Sequence, residues 1–136
     1  MRAIDDEEEL VRSNVYRHDE LELTEVRPGL FGAVLEGDQS TLVRWEFPPG
    51  QPRTGIHSHD EHEQYGILVA GSIELEIGGE QVELRTGDIY WVPPGMPHGR
   101  TLVLGDEPAV VLDVFVPPRT EYVAAAHGGP PSDPTA

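Results

Sequence analysis

The sequence predicts an all-β fold, a barrel or sandwich of one domain, and three observations predict it. From about Val26 onward the apolar residues fall in short runs separated by Gly and Pro at short intervals, which is the texture of strands and turns. No stretch combines helical length with a helical apolar period. The length of 136 residues, 15.0 kDa, suits a single core. A chain of this size buries about two thirds of the surface it exposes when unfolded, so folding requires neither a disulfide nor a metal staple.

Residues 1–25 are charged and weakly patterned, and they are expected to form an acidic arm, as a short helix, an added edge strand or a frayed end. The barrel is expected over residues 26–122. Its candidate strands are Leu30–Leu35, Thr41–Phe47, Gln64–Val69, Ser72–Ile77, Gln81–Leu84, Asp88–Val92 and Ala109–Val116. Within Ser72–Ile77 the alternation is clean, with Ile73, Leu75 and Ile77 on one face and Glu74 and Glu76 on the other. Gly78-Gly79 then supplies a two-residue hairpin turn. Residues 123–136 hold too little apolar content to stay folded and are expected to be a disordered tail.

Charge excludes some functions. There are 25 acidic and 9 basic residues, a formal net charge of −16, and the basic residues are all Arg. A polyanion would meet a like-charged field, so nucleic acid is not expected as a partner. Self-repulsion on this scale is screened in molar salt, where the Debye length falls to about 3 Å, and the composition points to a halophilic source. An acidic protein from a genome that prefers Arg to Lys would have the same balance. Cysteine is absent, which removes disulfides and thiol catalysis. Met1 to Leu10 carries five consecutive acids, Asp5 to Glu9, and no apolar stretch; neither a signal peptide nor a membrane partner is expected, and the expected compartment is the cytoplasm.

Four of the six histidines lie between positions 57 and 98. His57-Ser58-His59 places two imidazoles at i and i+2, on one face if the segment is a strand, so that both can reach one ion; a chance pair or a solvated loop is the alternative. His98 follows the turn Pro93-Pro94-Gly95-Met96-Pro97, rigid because each proline fixes φ and a glycine tolerates positive φ. On the last strand Val111, Asp113 and Phe115 share a face. A carboxylate between apolar neighbours must be paired or working. Either Asp113 bridges to an arginine such as Arg44, Arg53 or Arg119, or it is an acid/base group whose pKa burial raises, with Phe115 shaping the pocket. Arg119 carries a planar guanidinium suited to a carboxylate, although most arginines are surface residues. Trp45, Phe47, Tyr90 and Trp91 read as barrel filling, Tyr65 as a possible pocket wall, Glu63 as solvated, and His62 as a neighbour of the ligands or a surface residue.

These spacings resemble the two motifs of the cupin superfamily of small metal-binding β-barrels, double-stranded β-helix or jelly-roll folds. Gly87, Pro93, Gly95 and His98 match the second motif, except that Leu102 stands where an Asn is usual. In the first motif His57, His59 and the closing Gly71 fit, while Gly50 lies one residue too far upstream. The customary glutamate ligand is replaced by Gln64, with Glu63 beside it. A glutamine in that register resembles the KdgF-like cupins of pectin and alginate breakdown, as do His62-Glu63-Gln64-Tyr65-Gly66, Gly71-Ser72-Ile73-Glu74-Leu75 and Val111 through Arg119.

The resemblance implies one divalent transition metal ion on His57, His59, Gln64 and His98. Ni, Zn, Fe, Mn and Co all accept imidazole and amide donors, and neutral donors leave such an ion its full charge. The alternative is an ion that merely staples the barrel. It further implies a homodimer and a small-molecule sugar acid as substrate: a 4,5-unsaturated uronate monomer released by pectin or alginate lyases and opened to its linear keto form. In that reaction Arg119 would bind the C6 carboxylate, Phe115 would shape the pocket and Asp113 would move the proton, with ion and Asp113 able to exchange roles. Another metal cupin, such as a dioxygenase or sugar isomerase, or a non-enzymatic sugar-acid-binding cupin, would use the same residues.

Overall fold

A computed structural model describes residues 14–27 and 29–126. Ten strands form two antiparallel sheets. The strands are β1 (Thr24–Arg27), β2 (Leu30–Glu36), β3 (Thr41–Phe47), β4 (Ile56–His57), β5 (Glu63–Ala70), β6 (Ser72–Ile77), β7 (Glu80–Arg85), β8 (Ile89–Val92), β9 (His98–Leu104) and β10 (Ala109–Val116). One sheet runs β1-β2-β3-β10-β5-β8 and the other β4-β9-β6-β7. Each of the seven expected strands is present, with ends moved by at most one residue.

Period-2 patterning explains the core. Ile73 and Leu75 of β6 pack with Leu68, Leu84 and Val111, while Glu74 and Glu76 face outward onto Arg53 and Arg100. Gly78 and Gly79 both take positive φ, at 60° and 88°, and Ile77 pairs with Glu80 across them, as a two-residue hairpin requires. A second cluster, Val26, Val43, Trp45, Phe115 and Tyr122, fills the other end.

Three strands and a helix were not expected. β1 carries one apolar side chain directed to the core, Val26, and β4 is two residues long, so neither shows a periodicity. β9 follows the proline turn and is polar in its first half. Helix α1 (Thr120–Ala126) crosses the boundary expected at residue 122, so residues 123–126 are helical. A helix this short is held by packing, not propensity: Tyr122 and Ala125, three apart, are buried, and the Tyr122 ring meets those of Trp45 and Phe115 edge-on at 5.6 Å each. The arm's residues 18–20 form a 3₁₀ turn and β1 adds to this chain's own sheet beside β2. Residues 1–13 and the remainder of the tail expected over residues 123–136, residues 127–136, lie outside the described residues. No helix among the described residues is long and apolar enough to cross a membrane.

Candidate metal centre and adjoining cavity

β4, the loop after it and β9 bring the three histidines together. His57 ends β4 and pairs across the sheet with His98, the first residue of β9. His59 lies beyond the strand end, so the expected strand geometry does not hold for the pair; the loop itself turns the second imidazole inward. The rings of His57 and His98 are 4.4 Å apart between centroids, and those of His59 and His98 are 4.9 Å apart. One nitrogen from each of His57, His59 and His98 lies within 4.8 Å of the others.

The donor chemistry suits a cation. His98 Nδ1 is 3.0 Å from the Met96 carbonyl, and since a carbonyl only accepts, Nδ1 carries the hydrogen and Nε2 keeps its lone pair. His98 Nε2, the ring nitrogens of His59 and Gln64 Oε1 are buried without a hydrogen-bond partner. Buried polar groups are ordinarily satisfied, and since a neutral imidazole keeps one lone pair, one nitrogen of His59, His98 Nε2 and Gln64 Oε1 are three orphaned acceptor atoms that an ion would satisfy. Protonation is suppressed here. Burial first, then the charges of His98, Arg27, His59 and Arg119, lowers the His57 pKa to about 3. Burial, then Arg119 and His98, lowers that of His59 to about 4, and burial likewise lowers that of His98. Neutral imidazoles are the form that binds metal.

Gln64 and Asp113 face the same interior. Gln64 pairs with Phe115, and Gly66 with Asp113, between β5 and β10. Asp113 is buried. Its Oδ1 accepts from the Tyr90 hydroxyl at 2.5 Å and its Oδ2 from Trp45 Nε1 at 3.0 Å. The Gln64 side chain also acts to lower the Asp113 pKa, and its Oε1 has no hydrogen-bond partner. None of the arginines considered as partners for Asp113 takes that place. Arg44 bonds to Glu46 and His18, Arg53 to Glu74, and Arg119 to Glu121. Burial raises the Asp113 pKa to about 6 against the lowering effect of Tyr90, Gln64 and Trp45. Burial and the adjacent Asp113 push the Tyr90 hydroxyl well above its ordinary range. Glycine at position 66 is required by this packing: a Cβ there would overlap the Tyr90 ring and the Asp113 carboxylate.

A cavity of about 460 Å³ lies between the sheets, lined by His57, His98, Gln64, Asp113, Tyr90 and Phe115 among others. Its volume is that of a small-molecule site. Phe115 is part of the wall, and its ring lies 5.9 Å from that of His59.

Arg119 differs from its expected setting. The side chain is 1% exposed and lies outside the lining of this cavity. Its guanidinium stacks 5.0 Å from Phe115 and 4.3 Å from Tyr122, and both Nε and Nη2 bond to Glu121 Oε2, at 2.7 and 2.5 Å. Glu121, two residues on in the first turn of α1, has captured the group expected for substrate; Nη1 alone is left without a partner.

Other readings change by alternation. Tyr65, next to Gln64, points to the opposite face and is exposed, as is Trp91 across from it, so neither lines the cavity or fills the barrel. Glu63 accepts from Trp91 Nε1 at 2.8 Å, and His62 Nδ1 meets the Pro117 carbonyl at 2.9 Å. Tyr90 and Trp45 are more than filling, because their donors hold Asp113. Arg27, which reading the sequence passed over, lines the cavity; an isolated arginine between Val26 and Pro28 carries no local signal of that.

The chain matches the family described as "Cupin domain" over residues 43–115. It is 39% identical over 67 residues to the pectin degradation protein KdgF of Dickeya dadantii, an alignment spanning 49% of this chain and 59% of that protein's length. The solved structure of KdgF from Halomonas sp. superposes with a TM-score of 0.68 at 30% identity, covering 78% of this chain and 96% of that one. An uncharacterized conserved protein with a double-stranded β-helix domain from Klebsiella pneumoniae gives 0.64 at 31% identity, covering 78% and 91%.

Proposed function

This chain belongs to the cupin family and is KdgF-like within it, and on that premise we propose that it is a metal-dependent enzyme that opens 4,5-unsaturated uronate monomers to their linear keto form. The observation that carries the reading is the meeting of two kinds of group on one cavity: orphaned neutral donors on His98 and Gln64 beside His57 and His59, and a buried carboxyl with a pKa of about 6.

His57, His59, His98 and Gln64 would hold the ion. Bound there, a divalent cation supplies Lewis-acid polarisation of substrate oxygens. Asp113 moves the proton. With a pKa of about 6, both its forms are populated near neutrality, as an acid/base group requires. The substrate is a cyclic enol ether. A proton added at C4 and a water added at C5 give a hemiketal. The bond from C5 to the ring oxygen then breaks, C5 becomes a ketone, and the ring oxygen stays on C1 as a hydrated aldehyde that loses one water. The change is a net isomerisation and needs no oxidant. Tyr90 and Trp45 keep Asp113 in place, Phe115 limits the space beside the reacting ring, and Arg119, tied to Glu121 and stacked on Phe115, steadies that wall. We further propose a cytoplasmic homodimer suited to high salt, a setting in keeping with the −16 charge and the absence of cysteine.

The test is proton NMR of unsaturated galacturonate in buffer, with metal-loaded protein and with metal-stripped protein. This monomer also opens spontaneously, so the rate is the readout. Faster loss of the C4 vinyl signal only with the loaded protein is the expected outcome; Asp113→Ala should keep fold and metal and lose the acceleration. A rate equal to buffer with folded, loaded protein would refute the proposal.

A further inference from the structure

We infer that Arg27 is the residue that binds the substrate carboxylate and selects acidic over neutral sugars; this rests on the uronate reading above. Val26 and Arg27 are consecutive, so in a regular strand they would face opposite sides. Val26 is fully buried in the cluster with Trp45, Phe115 and Tyr122, and an uninterrupted β1 would therefore send Arg27 outward. The register instead shifts between Glu25 and Arg27 where β1 pairs with β2. A bulge of this kind re-aims a side chain and is common beside active sites. Its result here is that Arg27 lines the same cavity as His57, His98 and Asp113.

Charge makes that placement consequential. The chain has a net charge of −16, a field that repels an anionic sugar at long range. Among the described residues lining the cavity, Arg27 is the only Arg or Lys and Asp113 the only carboxylate, and Asp113 is already held by Trp45 and Tyr90. The positive charge of Arg27 reaches His57 and His98, so it acts across the space a substrate would occupy next to the ligand cluster. A guanidinium presents parallel donors that match a carboxylate in a bidentate pair. Arg119, the other cation near the cluster, does not line this cavity but a smaller pocket on the His59 side.

The experiment compares turnover of unsaturated galacturonate and its neutral methyl ester by metal-loaded wild type, Arg27→Gln, Arg27→Lys and Arg119→Gln, with circular dichroism and metal content as controls for folding. Loss of one charge-assisted pair should raise KM for the acid by about 10- to 100-fold, leave the ester unchanged and so collapse the acid-to-ester preference. Arg27→Lys should recover part of it, and Arg119→Gln should keep it. A preference retained in Arg27→Gln, or lost in Arg119→Gln, overturns the inference. If wild type turns over neither compound, the uronate reading fails separately, and calorimetric binding of galacturonate against galactose tests Arg27. Galacturonate binding weakened about 10- to 100-fold in Arg27→Gln supports the assignment; equal binding by both proteins, or none by wild type, overturns it.

Discussion

Replacing Tyr90 by Phe removes one oxygen, and the structure sets the size of the effect. The hydroxyl of half-buried Tyr90 donates to Oδ1 of the buried Asp113 at 2.5 Å. A hydrogen bond to a charged group contributes about 1.5–3 kcal/mol. The loss also has a ceiling, because Asp113 can escape by taking up a proton. With its pKa at about 6, protonation at pH 7.5 costs about 2 kcal/mol, from 1.36 kcal/mol per pH unit. Tyr90→Phe should therefore destabilise the metal-stripped protein by about 2 kcal/mol at pH 7.5. At pH 5 the carboxyl is already largely protonated in both proteins, the charged bond is absent, and the loss should fall to about 1 kcal/mol or less.

The direction follows from linkage. Asp113 is raised above its ordinary 3.8, so between about pH 4 and 6 the folded chain holds more proton than the unfolded one, and this group's contribution to stability declines as pH rises through that window. Removing the Tyr90 donor moves the upper edge of the window higher. The histidine contributions are common to both proteins and cancel in the difference. Urea denaturation at pH 5, 6 and 7.5 measures it. An equal loss at all three pH values would refute the role assigned to the pair, since a packing defect is indifferent to pH.

In metal-stripped protein, ring proton NMR should find His57 and His59 neutral down to about pH 5, since their pKa values lie near 3 and 4. The unfolded chain binds protons there that the folded one refuses, so their contribution to stability is lost as pH falls below about 6.5; titration near 6.5 would contradict the burial argument. Gly66→Ala should cost about 1–3 kcal/mol and impair activity, because the new Cβ meets Tyr90 and Asp113; an unchanged melting temperature would contradict that packing. The melting temperature should rise from dilute buffer to molar KCl because the −16 charge is screened, and a salt-independent value would remove the halophile expectation.

What the sequence determined by itself was what local periodicity and turn chemistry encode. The alternation of β6, the paired glycines at 78 and 79, and the proline turn before His98 are properties of a few neighbouring residues, and each is present as read. His57, His59, Gln64 and His98 form a group in the sequence itself, because the spacing of a motif is a property of the chain. Tertiary structure alone decided contacts that depend on how strands far apart in the chain come into register. Asp113 meets Trp45 and Tyr90 across separations of 68 and 23 residues, and no pattern within β10 says whether that carboxylate faces an arginine, an indole or a phenol. His59 turned inward from a loop, Glu121 captured Arg119, and a one-residue register shift aimed Arg27 at the cavity. In each case the outcome is set by what lies across the gap when the sheets close, and side chains of the same type point in or out on a difference of one residue in pairing.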